Sequence, residues 1–372
     1  MTDLTRMASL LRDSGPWTVA YVDGAGDEPQ VIEEKKQDSV RRRLNEEGAP
    51  PADVEAVATA LRDGAGLPSP SSRYIVVVDG AVVLDSALSG QRHGEEILTH
   101  GPVPPLRPLL LHGSADVGYL VVEAGREGAQ LRWERAERSP EPPQEVEGRT
   151  DALPKVQAGG WSHAKHQRAS EEIWKLNQRE VAEAVDTVVR ERQPAFVALA
   201  GDVRARQLLR DDLADASRAL VLDVDAHTRA DGADDSALED AIARRLAELE
   251  TEDLSTARSR ARVDHGSHGV EGVEPVLRAL QEAAVDTLVL DERMWDDERM
   301  LDALADVPWV DDGDALGVGS LGRVPAAEAL ARAALLTDAD VLVEQDEYAA
   351  EDEAREQRLA REPLAVLRRP AA

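Results

Sequence analysis

The apolar positions of this chain switch between two periods, and the switches lay out the elements. Leu4 to Leu11 reads as a short helix broken at Gly15-Pro16, and Trp17 to Val22 as a strand closing at Asp23-Gly24. Val31 to Asn45 is a charged helix, and Ala52 to Leu61 a second one after Pro50-Pro51. Arg73 to Val78 and Ala81 to Leu84 flank Asp79-Gly80, a hairpin signal. Gly118 to Ala124 and Ala129 to Arg135 predict another hairpin around Gly125 to Gly128. Ile173, Leu176, Val181, Ala184, Val185, Val188 and Val189 recur at helical spacing and predict one long helix over Arg168 to Arg192. Pro194 to Gly201 is then a buried strand, Arg204 to Leu213 a helix, Ala219 to Val224 a strand, and Asp234 to Arg262 a long charged helix. Farther on, Val273 to Ala284, Met300 to Ala305 and Val324 to Leu335 read as helices, and Thr287 to Leu290 and Val341 to Val343 as strands. The tail ends in an apolar cluster at Leu364 to Leu367.

This alternation predicts α/β architecture, with sheets covered by helices. A length of 372 residues exceeds one ordinary core. The proline-rich run Gly101 to Pro108 reads as a linker, and three domains are expected: 1–105, 106–265 and 266–372, the last an α/β/α sandwich.

Charge narrows the partners. A formal net charge of −30 repels nucleic acid and acidic membranes at long range, so any RNA contact must be local and basic. Lysine occurs only five times and arginine carries the rest of the positive charge, a balance that fits either a high-salt cytoplasm or a GC-rich genome. High salt would shorten the Debye length and let a local basic patch act despite the global repulsion. The absence of cysteine excludes disulfides and thiolate metal sites and fits a reducing compartment. No apolar run reaches the ~18 residues of a membrane span and the first residues lack a signal core, so a cytoplasmic protein without membrane contact is expected.

Against that background one stretch stands out. Gly159, Gly160, Trp161 and Ser162 open a loop that carries His163, Lys165, His166, Gln167 and Arg168 and runs into the long helix. The glycine pair permits close backbone approach to a partner. Arg168, Lys175 and Arg179 lie seven and four residues apart, on one helix face that could follow a phosphate backbone. Trp161 could stack on a base, worth ~1–3 kcal/mol. The plainer reading is a solvated loop and helix, with Glu171 and Lys175 as an i,i+4 pair.

Other candidates are weaker. His163 and His166, like His265 and His268, are spaced as zinc ligands could be, but a further ligand is needed and no cysteine is present, so no metal is expected. Gly317 to Gly322 matches a dinucleotide-binding pattern literally, yet no convincing strand precedes it; a turn before the helix at Pro325 is the expectation, and no cofactor. No G-x-S-x-G elbow, Walker loop or H-E-x-x-H motif occurs.

The order of features resembles the middle domain of archaeal and eukaryotic release factors. A hairpin (Gly118 to Arg135), a polar spacer, a glycine pair, a basic loop and a long helix follow one another as in that family. The run from Gly160 to Gly201, with Trp161 to His163, Arg168 to Asn177 and Gly201 to Arg204, resembles most the bacterial branch that includes Balon-like hibernation factors, related to Pelota and to class-one release factors. The resemblance implies a variable N-terminal domain of the decoding-region type, a ribonuclease-H-like middle domain and an L7Ae/L30e-like C-terminal domain. It also implies the ribosome as partner, through ribosomal and transfer RNA, and a translation GTPase near the C-terminal domain; a monomer off the ribosome is expected. Where release factors carry Gly-Gly-Gln, this chain has Gly159, Gly160 and Trp161. The family's glutamine helps place the attacking water, which requires a small polar group at fixed distance, and an indole has one donor, no acceptor and too much bulk. The expectation is a non-catalytic factor that occupies the vacant A site in dormancy or stress. The alternative is a peptidyl-tRNA hydrolase or tRNA-cleaving rescue factor that uses Gln167 or His163. An α/β stress protein with a protein partner is a third reading.

Overall fold

A computed structural model describes residues 3–13, 15–24, 30–63, 71–89, 91–113, 117–136, 142–147, 163–226, 236–263, 267–313, 319–345 and 362–369, with side chains for all of these except 30–34, 63, 89, 113 and 163–172. It divides into two compact units, one formed by Met1–Ser114 with Glu250–Ala372, the other by Ala115–Leu249.

The first unit begins with helix α1 (Asp3–Leu10), strand β1 (Trp17–Asp23) and helices α2 (Gln30–Glu46) and α3 (Pro51–Asp63). Strands β2 (Ser71–Val78), β3 (Ala81–Ser89) and β4 (Ile97–Gly101) complete an antiparallel sheet of order β3-β2-β1-β4, followed by helix α4 (Arg107–Gly113). The two-residue period of β1 divides its side chains. Ala20 and Val22 pack with Val40, Leu44, Val54 and Val57 of α2 and α3, while Val19 and Tyr21 join Met7 of α1 and Leu110 of α4. Sequence reading missed β4. Its five residues end at the proline-rich run, and pairing with β1 (Thr18 opposite His100) makes them a strand.

The C-terminal part of this unit has a sheet of order β10-β16-β11-β15, made of β10 (Gly269–Glu271), β11 (Val285–Asp291), β15 (Asp340–Glu344) and β16 (Leu364–Leu367). Helices α9 (Val273–Gln281) and α10 (Ala326–Leu336) cover the face of Leu288 and Leu290. Ala257 and Ala261, from the end of helix α8 (Ser236–Ala261), cover the face of Val289 and Val366. The layers are therefore helix, sheet, helix. Glu328 of α10 is buried and accepts hydrogen bonds from the Leu106 backbone at the start of α4 and from the Trp295 indole.

Two expectations fail here. Met300 to Ala305 is not a helix: Met300–Leu304 is strand β12, paired with β13 (Val310–Asp311) on one side and β14 (Ser320–Pro325) on the other. The dinucleotide-like match runs into β14, so Ser320 to Gly322 are strand residues opposite Leu304 and Ala303 and not a turn. Gly317 and Val318 lie outside the described residues.

The second unit holds one mixed sheet of order β7-β6-β5-β8-β9. Strands β5 (Gly118–Gly125), β6 (Gly128–Arg135) and β7 (Gln144–Glu147) form an antiparallel meander; β8 (Val197–Gly201) and β9 (Val221–Asp223) add in parallel beside β5. Leu120, Val122 and Ala124 of β5 face helices α5 (His163–Arg192) and α6 (Val203–Asp212), against Val181, Val185 and Leu209. Tyr119 and Val121 face the other way, with Phe196, Ala198 and Ala200, and pack on Leu238 and Ile242 of α8. A four-residue helix, α7 (Asp215–Arg218), separates α6 from β9. Among the described residues no helix is long and apolar enough to cross a membrane.

Candidate nucleic-acid interface

Of the residues singled out in the sequence, Gly159, Gly160, Trp161 and Ser162 lie outside the described residues. His163, Lys165, His166, Gln167 and Arg168 are described by their backbone, and that backbone is helical from His163 onward. The expected loop thus gives way to helix five residues before Arg168. Lys175 and Arg179 are exposed on α5, one turn apart. His268 is described and His265 is not.

The charge of α5 is divided along its length. Lys165, Arg168, Lys175 and Arg179 meet only Glu171 and Glu172 in the first part, whereas Glu180, Glu183, Asp186 and Glu191 outnumber Arg190 and Arg192 in the second. The changeover falls where the helix meets the rest of the unit. Asn177 and Gln178 are buried polar residues on a helix whose next inward positions are Val181, Ala182 and Val185. Their amides point at the turn between β5 and β6. Asn177 Nδ2 donates to the Arg126 carbonyl at 3.3 Å, and Gln178 Nε2 to the Gly125 carbonyl at 2.8 Å. Buried directional bonds of this kind fix the helix in rotation and register, which apolar contacts alone do more loosely.

The turn is held from a second side. The Arg126 guanidinium lies 5.0 Å from the centre of the Trp174 ring, a cation–π contact from α5. Its Nε donates to Asp202 Oδ2 at 3.1 Å. Asp202 is the N-cap of α6, with Oδ1 accepting from the Arg204 and Ala205 backbone at 2.9 and 3.1 Å. Burial alone would raise the Asp202 carboxyl, but the bonds from Ala205, Arg126 and Arg204 outweigh it and hold it below the usual carboxylate range.

Gly201 makes the junction possible. Its φ is +110°, and a Cβ there would stand 2.1 Å from the Ala124 carbonyl oxygen. Asp202 N–H donates to that same oxygen at 2.9 Å. The ends of β5 and β8, the root of α5 and the start of α6 therefore meet at one place. Sequence reading missed Arg126, Trp174, Asp202 and Arg204 as parts of this site. The signal available was the glycine-bounded turn Gly125 to Gly128, which predicts a hairpin without saying what packs on its arginine.

Comparison with known proteins bears on this region above all. Residues 118–267 match the family described as bacterial archaeo-eukaryotic release factor family 2. The uncharacterized proteins Rv2629 and MT2704 of Mycobacterium tuberculosis are each 22% identical over 294 residues, covering 77% of this chain and 78% of theirs. Among solved structures, the archaeal translation termination factor aRF1 is 15% identical, with a TM-score of 0.25 over 99% of this chain and 98% of its own. Dom34 of S. cerevisiae, described as a translation termination-like factor involved in RNA quality control and interacting with Hbs1, is 12% identical, with a TM-score of 0.39 over 81% of each chain. A model of ribosome-bound archaeal Pelota and ABCE1 is 13% identical to this chain over 100% of it and 94% of the other, with a TM-score of 0.36. Scores of this size do not establish a shared arrangement of the whole chain.

Proposed function

We propose, from the match of residues 118–267 to bacterial archaeo-eukaryotic release factor family 2, that this chain is a ribosome-binding factor that occupies the vacant A site without hydrolysing peptidyl-tRNA, and that it serves dormancy or stress. The observation that carries the reading is the family match around a Gly159-Gly160 pair followed by Trp161 where release factors place glutamine. The positive first part of α5 adds to it: in a chain of net charge −30, it is where an RNA backbone would meet least repulsion. The RNA-binding set is Gly159, Gly160, Trp161, Ser162, His163, Lys165, His166, Gln167, Arg168, Lys175 and Arg179. The same reading takes the middle region as ribonuclease-H-like, for which its mixed sheet is the support. It takes the C-terminal sheet with helices on both faces as the L7Ae/L30e-like domain, keeps the three-domain division at residues 105 and 265, and names a translation GTPase as a second partner in the cytoplasm.

Co-sedimentation with vacant ribosomes, at the salt of the source organism, tests it. Association that weakens in Arg168→Glu and Lys175→Glu is the expected result. No association of the wild-type chain defeats the reading. Loss of peptidyl-tRNA from stalled complexes, abolished in Gln167→Ala or His163→Ala, would put the enzymatic alternative in its place.

A further inference from the structure

The sequence places Lys165, Arg168, Lys175 and Arg179 on one helix. The structure adds two more from elsewhere in the chain and gathers them beside it. One stripe along α5 consists of Lys175, Arg179, Ala182 and Asp186, spaced four, three and four residues apart and so aligned on a single side. Its lower end shows which way the stripe faces: the Asp186 carboxylate accepts the Ala214 N–H at 3.3 and 3.2 Å, just beyond the end of α6. At the other end, Asn177 and Gln178 hold α5 at the Arg126 turn, and Arg126 is bonded to the residue that caps α6. The two helices thus run side by side in the same direction, and the Lys175–Arg179 end of the stripe borders the first turn of α6, which carries Arg204.

These arginines keep donors to spare. Arg126 spends only Nε within the chain, its side chain is 60% exposed, and its terminal nitrogens make no hydrogen bond among the described residues. Arg204 is exposed, and among the described residues its side chain reaches only Gln207, at 3.4 Å. Arg179 is exposed and makes no ion pair or hydrogen bond among the described residues. Of the carboxylates near the junction, Asp202 is occupied by two backbone N–H groups and Arg126, and Glu127, next to Arg126, is exposed. Exposed guanidinium forks with free N–H groups match phosphate oxygens, and that of Arg126 is also held in place.

We infer that the surface where α5 meets the start of α6, with Arg126, Arg179 and Arg204, is a second docking site for an RNA phosphate backbone, at the root of α5 and separate from the Gly159–Arg168 segment. The inference rests on the ribosome-binding reading but can fail by itself. The pinned turn gives Arg126 its place: two side-chain amides fix its backbone, and Trp174 and Asp202 fix its guanidinium. Arg126 and Arg204 then flank the start of α6, and Arg179 extends the line along α5.

The test is ribosome association of the full chain across a salt series, for wild type, Arg179→Ala, Arg204→Ala and Arg126→Ala. Each lost phosphate contact should lower the slope of log affinity against log salt by about 0.7–0.9. Arg179→Ala is the decisive variant, because its side chain bonds to nothing described in the chain and its loss leaves the fold alone. Unchanged slopes in all three variants, with wild type bound, overturn the inference and leave the proposed function standing. Weaker association at an unchanged slope also overturns it, since the arginines would then be meeting protein. If the wild-type chain ignores ribosomes, a short double-stranded RNA at low salt serves as the probe. Binding that falls in the same three variants supports the site, and no binding by wild type overturns it.

Discussion

Helices α5 and α8 are 30 and 26 residues long and both rich in arginine; α5 engages Arg190 with Thr187 and Arg192 with the Trp133 ring, but differs from α8 at Arg179. On α8 the arginines are taken up within the chain. Arg245 pairs with Glu248 at 3.0 Å, Arg258 with Glu344, Arg260 with Asp286 at 2.6 Å, and Arg244 donates to the Asp240 carbonyl. On α5, Arg179 has no such partner among the described residues, although the chain holds 73 acidic residues against 43 basic ones. In so acidic a protein a cation finds a carboxylate nearby by default. Among the described residues Arg179 pairs with neither Glu180 beside it nor Glu183 one turn on, which leaves its guanidinium open to an anion from outside. The anchoring differs as well. α8 contributes small or aliphatic residues such as Leu238, Ile242, Ala257 and Ala261, whereas α5 adds the buried amides of Asn177 and Gln178. A helix that only covers a sheet tolerates some sliding. One that presents charges at set positions needs directional bonds at its root.

The contrast can be attacked first at the glycine that lets the junction close. Gly201→Ala forces a Cβ against the Ala124 carbonyl at a positive φ, and should cost about 3 kcal/mol or more in denaturant unfolding. A loss under ~0.5 kcal/mol would mean that the ends of β5 and β8 are not as close as described and that the anchor of α5 is loose. Next comes the anchor itself. Gln178→Leu keeps the volume and removes the donor to the Gly125 carbonyl, so a loss of about 1–2 kcal/mol is expected. The same change should speed amide exchange in the first part of α5 more than in α8. Equal acceleration in both helices would erase the distinction.

The N-cap offers a smaller effect with a definite sign. Asp202→Ala should cost about 1 kcal/mol at neutral pH through loss of the α6 cap. Because the Asp202 carboxyl is held below its ordinary value, its contribution is complete above the usual carboxylate range and fades as the pH falls through the lowered value. The gap between wild type and Asp202→Ala should therefore narrow in acid. Asp202→Asn keeps a capping oxygen and loses the titration, so it should sit closer to wild type in stability and show a flatter acid limb. A gap that widens in acid would contradict the bonding described around Asp202.

How much of this was legible beforehand follows from what each signal depends on. The β5–β6 hairpin, α5, β8 and α6 were readable because each carries its own period or turn within a short window, and the family resemblance rested on their order. β7 was not: Gln144–Glu147 has a single half-buried apolar residue, Val146, and pairing with β6 makes it a strand. Met300–Leu304 has apolar residues at spacings that suit a helix or a strand, and two flanking partners decide for the strand. The site divides along the same line. Lys175 and Arg179 could be named from helical spacing, a local property. Arg126 and Arg204 could not, because what brings them together is a hydrogen bond between α5 and a turn some fifty residues earlier.

The smallest expected effect is the sharpest control on the whole comparison. Arg260→Ala removes a cation from α8 whose charge is already taken by Asp286, and the hydrogen bond from Arg260 is the main reason the Asp286 carboxyl lies below its usual value. The arginine side chain is half exposed, so the pair should be worth no more than about 0–1 kcal/mol. The bulk electrostatic effect of losing one positive charge is the same as in Arg204→Ala. Only the position and the engagement of the guanidinium differ. Ribosome association and its salt slope should therefore be unchanged in Arg260→Ala while they fall in Arg204→Ala. If both variants lose slope alike, association responds to net charge alone, and the difference between an engaged and an unengaged arginine has no functional meaning in this protein.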